Sequence, residues 1–430
     1  FYGRPSRKLA VVGVTGTEGK SSTAAFIWQL LRLAGRKAGF ISTVQYSEGG
    51  DAVDNPVHQT TPEAPVVQAR LSGMVRAGCA FAVVEASSHG LSPRTNRLGD
   101  VLFDGAVMMN VAREHLEFHG TWEQYRDDKA NLFRGLSAGG HIKQIDGRDA
   151  RIPSFGLVNL DDPSWAYFAA AAGGAGITGF SCGTPGAEES PGAPGADFLG
   201  PGRYVAENIR AGEGGIDFRV RGPESFSVEA PLPGAFNAWN VLAAVLAVSR
   251  LTGIPPAVVA DKAPLLTPVR GRMTKIDCGQ DFEVYVDYAH TPSSFNAVFP
   301  ALRARVRGRI IAVFGSGGER DTAKRPEQGR VAARFCDTVI LADEDPRGED
   351  PVALLSAIEA GCCAGGKIPG KDVFIIPDRA AAIRRAFALA SPGDMVLLLG
   401  KSHENSIIYR DYVMPWDEIA EAKKALQEIL

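Results

Sequence analysis

Val11-Val12-Gly13-Val14-Thr15-Gly16-Thr17-Glu18-Gly19-Lys20-Ser21-Ser22 decides the fold of the first half of this chain. The run Leu9 to Val14 is apolar and reads as a buried strand. Ser22 to Leu33 has helical periodicity, and a glycine-punctuated loop joins the two. A strand, a Gly-rich loop ending in Gly-Lys-Ser and a helix make the layout of a phosphate-binding loop. Backbone N–H groups and the helix N-terminus hold phosphate oxygens, Lys20 reaches the outer phosphates and Ser21 ligates Mg²⁺. The strict pattern puts glycine five residues before Gly19, but position 14 is Val, with Gly13 and Gly16 nearby. On this stretch alone, a helix-opening loop with an incidental Gly-Lys-Ser stays open.

With 430 residues, 45% of them hydrophobic and 22% charged, the chain has the composition of a globular protein with two or three well-filled cores. A net charge of −3 gives no broad basic field, so neither nucleic acid nor an anionic membrane surface is an expected partner. No apolar run approaches the ~18–20 residues of a membrane span, and no signal peptide is visible. The cysteines Cys79, Cys182, Cys278, Cys336, Cys362 and Cys363 show neither metal-ligand nor disulfide spacing, which points to the reducing cytoplasm. Phe1 to Lys8 is too short for an element, and the phosphate loop follows almost at once. Something upstream is therefore expected to be missing.

Ala80 to Ala86 and Val101 to Met109 read as strands and Trp122 to Leu136 as a helix, an alternation that predicts a parallel sheet covered by helices. Ser181 to Gly202, rich in Gly, Pro, Ala and Glu, reads as a surface loop. Gly215 to Arg221 and Ser225 to Ala230 follow as a hairpin or meander, then a long helix over Ala235 to Leu251. Beyond Thr267 to Gly271 a second alternation has strands at Glu283 to Tyr288, Arg309 to Phe314, Thr338 to Ala342, Asp372 to Ile376 and Met395 to Leu399. The expected class is α/β: a central P-loop-type domain with a mainly parallel sheet over 9–269, then a Rossmann-like α/β domain over 270–430, with 1–8 as a tail.

The chemistry-bearing residues cluster at predicted strand ends, where open α/β sheets hold ligands. Glu85 ends a strand and could hold Mg²⁺ near the phosphates. An ordinary strand-end carboxylate is the plain alternative. His115 and His119 lie in the polar segment Met109 to Gly120, and with His89 they make three of the chain's seven histidines. By composition alone, Lys129 is a solvated helix lysine. In the second half, polar sequence follows strand after strand: Asp287 to Pro292, Gly315 to Asp321 before Lys324-Arg325, Asp343 to Asp350 with four or five carboxylates around Arg347, and Gly400 to Glu404. At Asp343 to Asp350 the reading is either a solvated acidic loop or recognition of an ammonium together with a carboxylate, and the coherence of these strand ends argues for one composite site.

These residues resemble the Mur ligase family, most closely its UDP-N-acetylmuramoyl-tripeptide synthetase branch, along nearly the whole chain. The resemblance rests on Thr15 to Ser21, His58-Gln59-Thr60-Thr61-Pro62, Glu85 to Leu91, Asn110 to Gly120, Phe236 to Asn240, Pro268 to Met273, Asp287 to Pro292, Gly317 to Arg325 and Gly400 to Glu404. The family's form of the loop accounts for Val14. The resemblance implies that ATP phosphorylates the terminal carboxylate of UDP-N-acetylmuramoyl-dipeptide and that the amine of a diamino acid attacks the acyl phosphate. Cations are then needed at the transferred phosphoryl.

Carried over by position, the resemblance implies nucleotide contacts from Gly16, Thr17, Glu18, Gly19, Lys20, Ser21 and Ser22. It gives Asn240 to the adenine, Arg272 to the γ-phosphate and Asp287 to the ribose. Ser21, Glu85, His115 and Lys129 would serve Mg²⁺, with Lys129 carbamylated, and Lys20, Glu85, His115, Lys129 and Arg272 would carry catalysis. Thr60, Thr61, Ser87 and Arg97 would hold the muramoyl-peptide. His290, Arg325, Glu344, Asp345, Arg347, Gly400 and Glu404 would hold the diamino acid. The chain reads Glu344-Asp345-Pro346-Arg347 where the diaminopimelate pattern is Asp-Asn-Pro-Arg. The extra negative charge predicts L-lysine or L-ornithine, with diaminopimelate as the alternative. Family members carry a further N-terminal domain for the uridine diphosphate, and Phe1 to Ser6 resembles its tail. A monomer is expected. Folylpolyglutamate synthetases and cyanophycin-type ligases share this plan, and a silent nucleotide-binding partner is the alternative of another class.

Overall fold

The apolar run before the glycine loop is strand β1 (Ala10–Thr15), buried at every position. A strand without a polar face needs cover on both sides, the condition of a parallel sheet between helices. The computed structural model of the chain describes residues 1–56, 59–145, 147–183, 202–212 and 214–430. His58 and most of the Gly/Pro-rich stretch expected as a surface loop lie outside the described residues.

After β1 come α1 (Lys20–Leu33), β2 (Ala38–Ile41), β3 (Gln45–Ser47), β4 (Val53–Asp54), α2 (Ala64–Arg76), β5 (Phe81–Glu85), α3 (Ser88–Leu91), β6 (Gly105–Met108), α4 (Leu116–His119) and α5 (Trp122–Arg134). The hairpin β7 (His141–Ile145) and β8 (Arg148–Ile152) precedes β9 (Phe155–Asn159), α6 (Trp165–Ala171) and β10 (Gly176–Ser181). β11 (Arg203–Gly212), β12 (Gly215–Arg221) and β13 (Phe226–Ala230) lead into α7 (Asn237–Thr252) and α8 (Pro256–Ala260). Apart from the separate β7–β8 hairpin, the strands described so far form one sheet in the order β13-β12-β11-β10-β9-β6-β1-β5-β2-β3-β4. It is parallel from β11 to β2 and antiparallel at both margins. The hairpin or meander expected after the Gly/Pro-rich stretch is the antiparallel run β11-β12-β13, which β11 joins to β10 in the same sheet.

Two expectations need correction. The strand read over Val101 to Met109 begins only at Gly105. The backbone before it is used elsewhere: Leu102 N donates to Ser6 Oγ at 3.2 Å, and the Leu102 carbonyl accepts Lys143 Nζ at 2.7 Å. Lys129 is not solvated but 1% exposed, on the face of α5 packed against β1. Gly13 permits that approach, since a Cβ there would lie 2.5 Å from Leu132 Cδ1.

The chain divides into two compact units, Phe1–Thr267 and Pro268–Leu430. The second contains β14 (Thr274–Ile276), β15 (Glu283–Asp287), α9 (Pro292–Arg305), β16 (Ile310–Phe314), α10 (Lys324–Phe335), β17 (Thr338–Leu341), α11 (Pro351–Ala364), β18 (Val373–Ile375), α12 (Arg379–Leu389), β19 (Met395–Leu399), the hairpin β20 (Ser406–Ile408) and β21 (Val413–Pro415), and α13 (Glu418–Gln427). Its six-stranded sheet has the order β14-β15-β19-β16-β17-β18, parallel except for β14. Its core takes Val284, Val286, Ile311, Val313, Ile340, Val396 and Leu398 from the strands, against Ile383, Phe387 and Leu426 from α12 and α13.

Candidate active site

Strand register sets the geometry in the first unit. β1 lies between β5 and β6, with Val14 opposite Glu85 and Thr15 opposite Met108. The phosphate loop, Glu85 and the segment from Asn110 therefore emerge side by side at the carboxyl ends of the strands. Val14 is a buried strand residue, and the loop proper starts at Gly16. Asn110 Oδ1 pins that loop by accepting Thr17 N at 3.0 Å and Glu18 N at 2.7 Å. Gly19 caps α1 at φ 81°, and a Cβ there would lie 2.6 Å from Asn240 Oδ1, so backbone conformation and close contact both demand glycine. Asn240, on α7, also accepts Thr23 Oγ1 at 3.2 Å. Lys20 Nζ folds back to donate to the Thr17 carbonyl at 2.7 Å. Ser21 and Ser22 lie in the first turn of α1, where N–H groups lack intrahelical acceptors and favour an anion.

Ser21 Oγ donates to Glu85 Oε1 at 2.9 Å, and Thr43 N donates to Glu85 Oε2 at 2.7 Å. Lys129 Nζ donates to the Gly16 carbonyl at 2.7 Å and lies 4.4 Å from the Tyr125 ring centroid. Burial, and then the charge of Lys20, push this amine well below the ordinary lysine range, against the pull of Glu114, Glu18 and Glu85. His115 adopts φ 54° at the start of α4, half exposed, with Nδ1 3.4 Å from Glu117 Oε1 and its ring edge-on to His89 at 4.9 Å. Burial, reinforced by the imidazoles of His115 and His119, lowers His89 to about 3, so that ring is neutral.

Among the described residues, no three His, Cys, Asp or Glu side chains converge as a metal cluster. The touching hydroxyl and carboxylate of Ser21 and Glu85 are nonetheless hard oxygen donors beside a phosphate loop. They fit Mg²⁺, a cation that keeps waters and phosphate oxygens in its shell.

The expected muramoyl-peptide residues gather on the same strand end. Thr61 Oγ1 donates to the Glu85 carbonyl and accepts Ser87 N and Ser87 Oγ, each at 3.0 Å. Arg97 Nη1 donates to the Thr61 carbonyl at 3.0 Å, and Nη2 is 2.6 Å from Glu63 Oε1. Thr60 lies half-buried in the adjoining segment.

In the second unit, Asp287 ends β15 and turns both oxygens to backbone, accepting Met273 N at 2.7 Å and Ala289 N at 2.8 Å. Burial raises its carboxyl while Arg272 opposes. Arg272 lies over Tyr288 at 4.6 Å, and His290 Nδ1 donates to the Tyr288 carbonyl at 2.7 Å. Arg325 is held by a two-pronged pair with Glu349, both bonds at 2.8 Å. Glu344 is buried against Gly400, and its Oε2 has no hydrogen-bond partner.

Lys401, missing from the expected site residues although its motif was noticed, proves central. Its buried ammonium donates to Asp345 Oδ1 at 2.9 Å and Glu404 Oε2 at 2.5 Å. Burial works against that charge, but the Glu404 and Asp345 carboxylates prevail and hold Lys401 above its ordinary range. The extra charge that sequence reading placed at Asp345 is therefore already matched. Arg347 Nη2 stands 3.7 Å from Asp345 Oδ2, with its side chain 29% exposed.

Beneath this cluster, Asp343 accepts Tyr409 Oη at 3.0 Å, and burial raises its carboxyl from 3.8 to about 6. The folded chain thus binds this proton more tightly than the unfolded chain, so the unit loses stability as pH rises from 3.8 through about 6. Asp343→Asn is expected to flatten that slope, measured as the melting temperature of variant and parent from pH 4 to 7. An unchanged slope would contradict the assignment.

Residues 14–248 match the Mur ligase middle domain, and residues 271–402 match the Mur ligase glutamate ligase domain. A UDP-N-acetylmuramyl-tripeptide synthetase of Treponema denticola is 54% identical over 99% of this chain and 78% of its own length. A UDP-N-acetylmuramoyl-L-alanyl-D-glutamate–2,6-diaminopimelate ligase of Geobacillus kaustophilus is 38% identical over 100% of this chain and 81% of its own. The solved structure of a ligase of the latter name superposes with a TM-score of 0.61 at 29% identity, covering 98% of this chain and 79% of that one. With both domains matched in order, and with one relative 54% identical across nearly the whole of this chain, the chain belongs to the Mur ligase family of ATP-dependent ligases.

Proposed function

We propose that this chain forms an amide bond between UDP-N-acetylmuramoyl-L-alanyl-D-glutamate and a diamino acid, converting ATP to ADP and phosphate. It would do so as a monomer in the cytoplasm. No described helix is long and apolar enough to cross a membrane. The observation that supports this reading most is the contact of Ser21 with Glu85 beside the helix-capped loop, with the depressed, buried amine of Lys129 bonded to the same loop.

A carboxylate is a poor electrophile. Transfer of the γ-phosphoryl gives it a leaving group, and the incoming amine then displaces phosphate. Lys20 would balance the charge of the transferred group, while Thr60, Thr61, Ser87 and Arg97 orient the peptide carboxylate. Mg²⁺ held by Ser21, Glu85 and His115 would supply further positive charge at the phosphates. A neutral buried amine is the form of lysine that takes up CO₂. A carbamate on Lys129 would add a carboxylate-like donor to that set.

In the second unit, Arg347 is suited to a carboxylate and the unpartnered Glu344 oxygen to an ammonium. L-lysine or L-ornithine remains the proposed diamino acid, with Glu344 rather than Asp345 as its anionic partner. Arg347, partly exposed and able to take a second carboxylate, favours diaminopimelate as the alternative. Steady-state turnover with the three amino acids decides between them. L-lysine or L-ornithine is expected to exceed diaminopimelate in kcat/KM by about tenfold or more, and the reverse order transfers the assignment. Glu344→Gln is expected to raise the KM for the diamino acid about tenfold, the loss of one charged hydrogen bond, with the KM for ATP unchanged. Asp345→Asn should leave the ranking as it is, and a switch to diaminopimelate would restore Asp345 as the selecting charge.

A further inference from the structure

Beside His115 and Lys129 lies a second set of polar side chains that the proposed reaction leaves unused. Ser88 opens α3, His119 ends α4 and Asp128 sits within α5, at 2%, 3% and 2% exposure. His119 Nε2 is 3.0 Å from Ser88 Oγ, and Nδ1 is 2.7 Å from Asp128 Oδ2. Asp128 Oδ1 accepts Gln124 Nε2 at 3.0 Å.

Serine, imidazole and carboxylate in bonded sequence have the geometry of a nucleophilic triad. Burial argues against that use, because a hydroxyl this enclosed meets no substrate. The chain of bonds instead ties together three separate segments, each carrying a group already placed in the site. Ser88 directly follows Ser87 and lies three residues beyond Glu85. His119 is four residues past His115, and Asp128 directly precedes Lys129. With Asp128 ionised, the imidazole carries its proton on Nδ1 and accepts the Ser88 hydroxyl proton at Nε2. Each of the three polar groups is then satisfied without water.

We propose that Ser88, His119 and Asp128 form a positioning relay that sets the spacing of Glu85, His115 and Lys129 around the nucleotide-bound metal. The inference rests on the metal roles given under the proposed function. It assigns no chemistry to the relay residues, whose effect passes through the groups they hold. Groups that orient ligands in this way commonly change metal affinity or activity by about 10–100-fold when removed.

The test uses the full chain and a non-hydrolysable ATP analogue, titrated by calorimetry with and without Mg²⁺, beside steady-state kinetics. The Mg²⁺-dependent gain in analogue affinity is expected to fall about fivefold or more in Ser88→Ala and in His119→Asn, which keeps the Asp128 bond and loses that to Ser88. kcat should fall about tenfold, with the KM for ATP at saturating Mg²⁺ rising in step with the lost Mg²⁺-dependent affinity. Asp128→Ala should behave alike. Asp128→Asn should not, because every bond can reverse: the amide Nδ2 donates to Nδ1, Nε2–H donates to Ser88 Oγ, and Oδ1 still accepts Gln124.

Two results overturn the relay. One is unchanged Mg²⁺ dependence in Ser88→Ala and His119→Asn. The other is Asp128→Asn as impaired as Asp128→Ala, which would make Asp128 a charge rather than a link. If the parent binds the analogue with Mg²⁺ dependence yet turns over no UDP-substrate, the ligase reading fails while the relay is still decided by the binding data.

Discussion

Lys129→Met is expected to lower turnover by about 10³-fold, on the order of 4 kcal/mol of transition-state stabilisation, while the chain stays folded. Methionine matches the length of the buried stem and brings no charge to bury. The variant loses one bond, to the Gly16 carbonyl, and with it the amine that burial pushes below the ordinary lysine range. A second measurement separates a carbamate from a plain amine. Parent activity should fall in bicarbonate-depleted buffer and return when bicarbonate is added, whereas the variant should respond to neither. Burial, and then the charge of Lys20, lower the lysine pKa and so favour the neutral form that takes up CO₂. Full activity of Lys129→Met would return Lys129 to a packing role, and a parent indifferent to bicarbonate would leave it acting as a plain amine.

Arg379→Met is expected to destabilise the second unit by about 3–5 kcal/mol, the effect of stranding one member of a buried ion pair. Its melting temperature should fall by about 10 °C. Arg379 and Glu418 are both fully buried in their side chains, with bonds of 2.7 and 2.8 Å between them. The guanidinium also donates to the Asp343 carbonyl at 3.2 Å and the Leu399 carbonyl at 2.7 Å. Those carbonyls stand directly before Glu344 and Gly400, so the same change should raise the KM for the diamino acid. Removing both charges in Arg379→Met with Glu418→Met should recover much of the stability, since the uncompensated carboxylate is gone, but not the KM. Denaturant unfolding of the two variants checks this. A single substitution costing under about 1 kcal/mol, or a double one no better than the single, would refute the stranded-charge account.

Much of this molecule is legible in local sequence. The apolar run before Thr15 and the glycines after it are enough to place a strand, a phosphate loop and a helix, because each follows from short-range periodicity and backbone freedom. Strand-end chemistry is legible for a related reason: in a parallel sheet, the residues just beyond each strand gather at one edge. Strand-end position marks Glu85 and the polar segments that hold Glu344 and Gly400 as candidates, and only the family resemblance gives them roles. The margins of the sheet were harder. β11 adds to β10 across a stretch that is neither strand nor helix in pattern, and the apolar segment from Val101 loses its first residues to bonds with Ser6 and Lys143.

What the sequence determined by itself was the class of chemistry: a phosphate loop followed by polar strand ends, in the order shared with one ligase family. The tertiary structure alone decided the state of the charges. By composition alone Lys129 reads as a surface lysine among Arg126, Asp127 and Asp128, and its amine is buried, bonded to the Gly16 carbonyl and pushed below the ordinary lysine range only because α5 packs it against the loop. Asp345 reads as an unmatched charge until Lys401, 56 residues later, is seen to reach it. Ser88, His119 and Asp128 become one chain of bonds only when three segments meet. Periodicity is a property of neighbours along the chain, whereas burial and pairing are properties of neighbours in space, so protonation, charge balance and positioning emerge only from the fold.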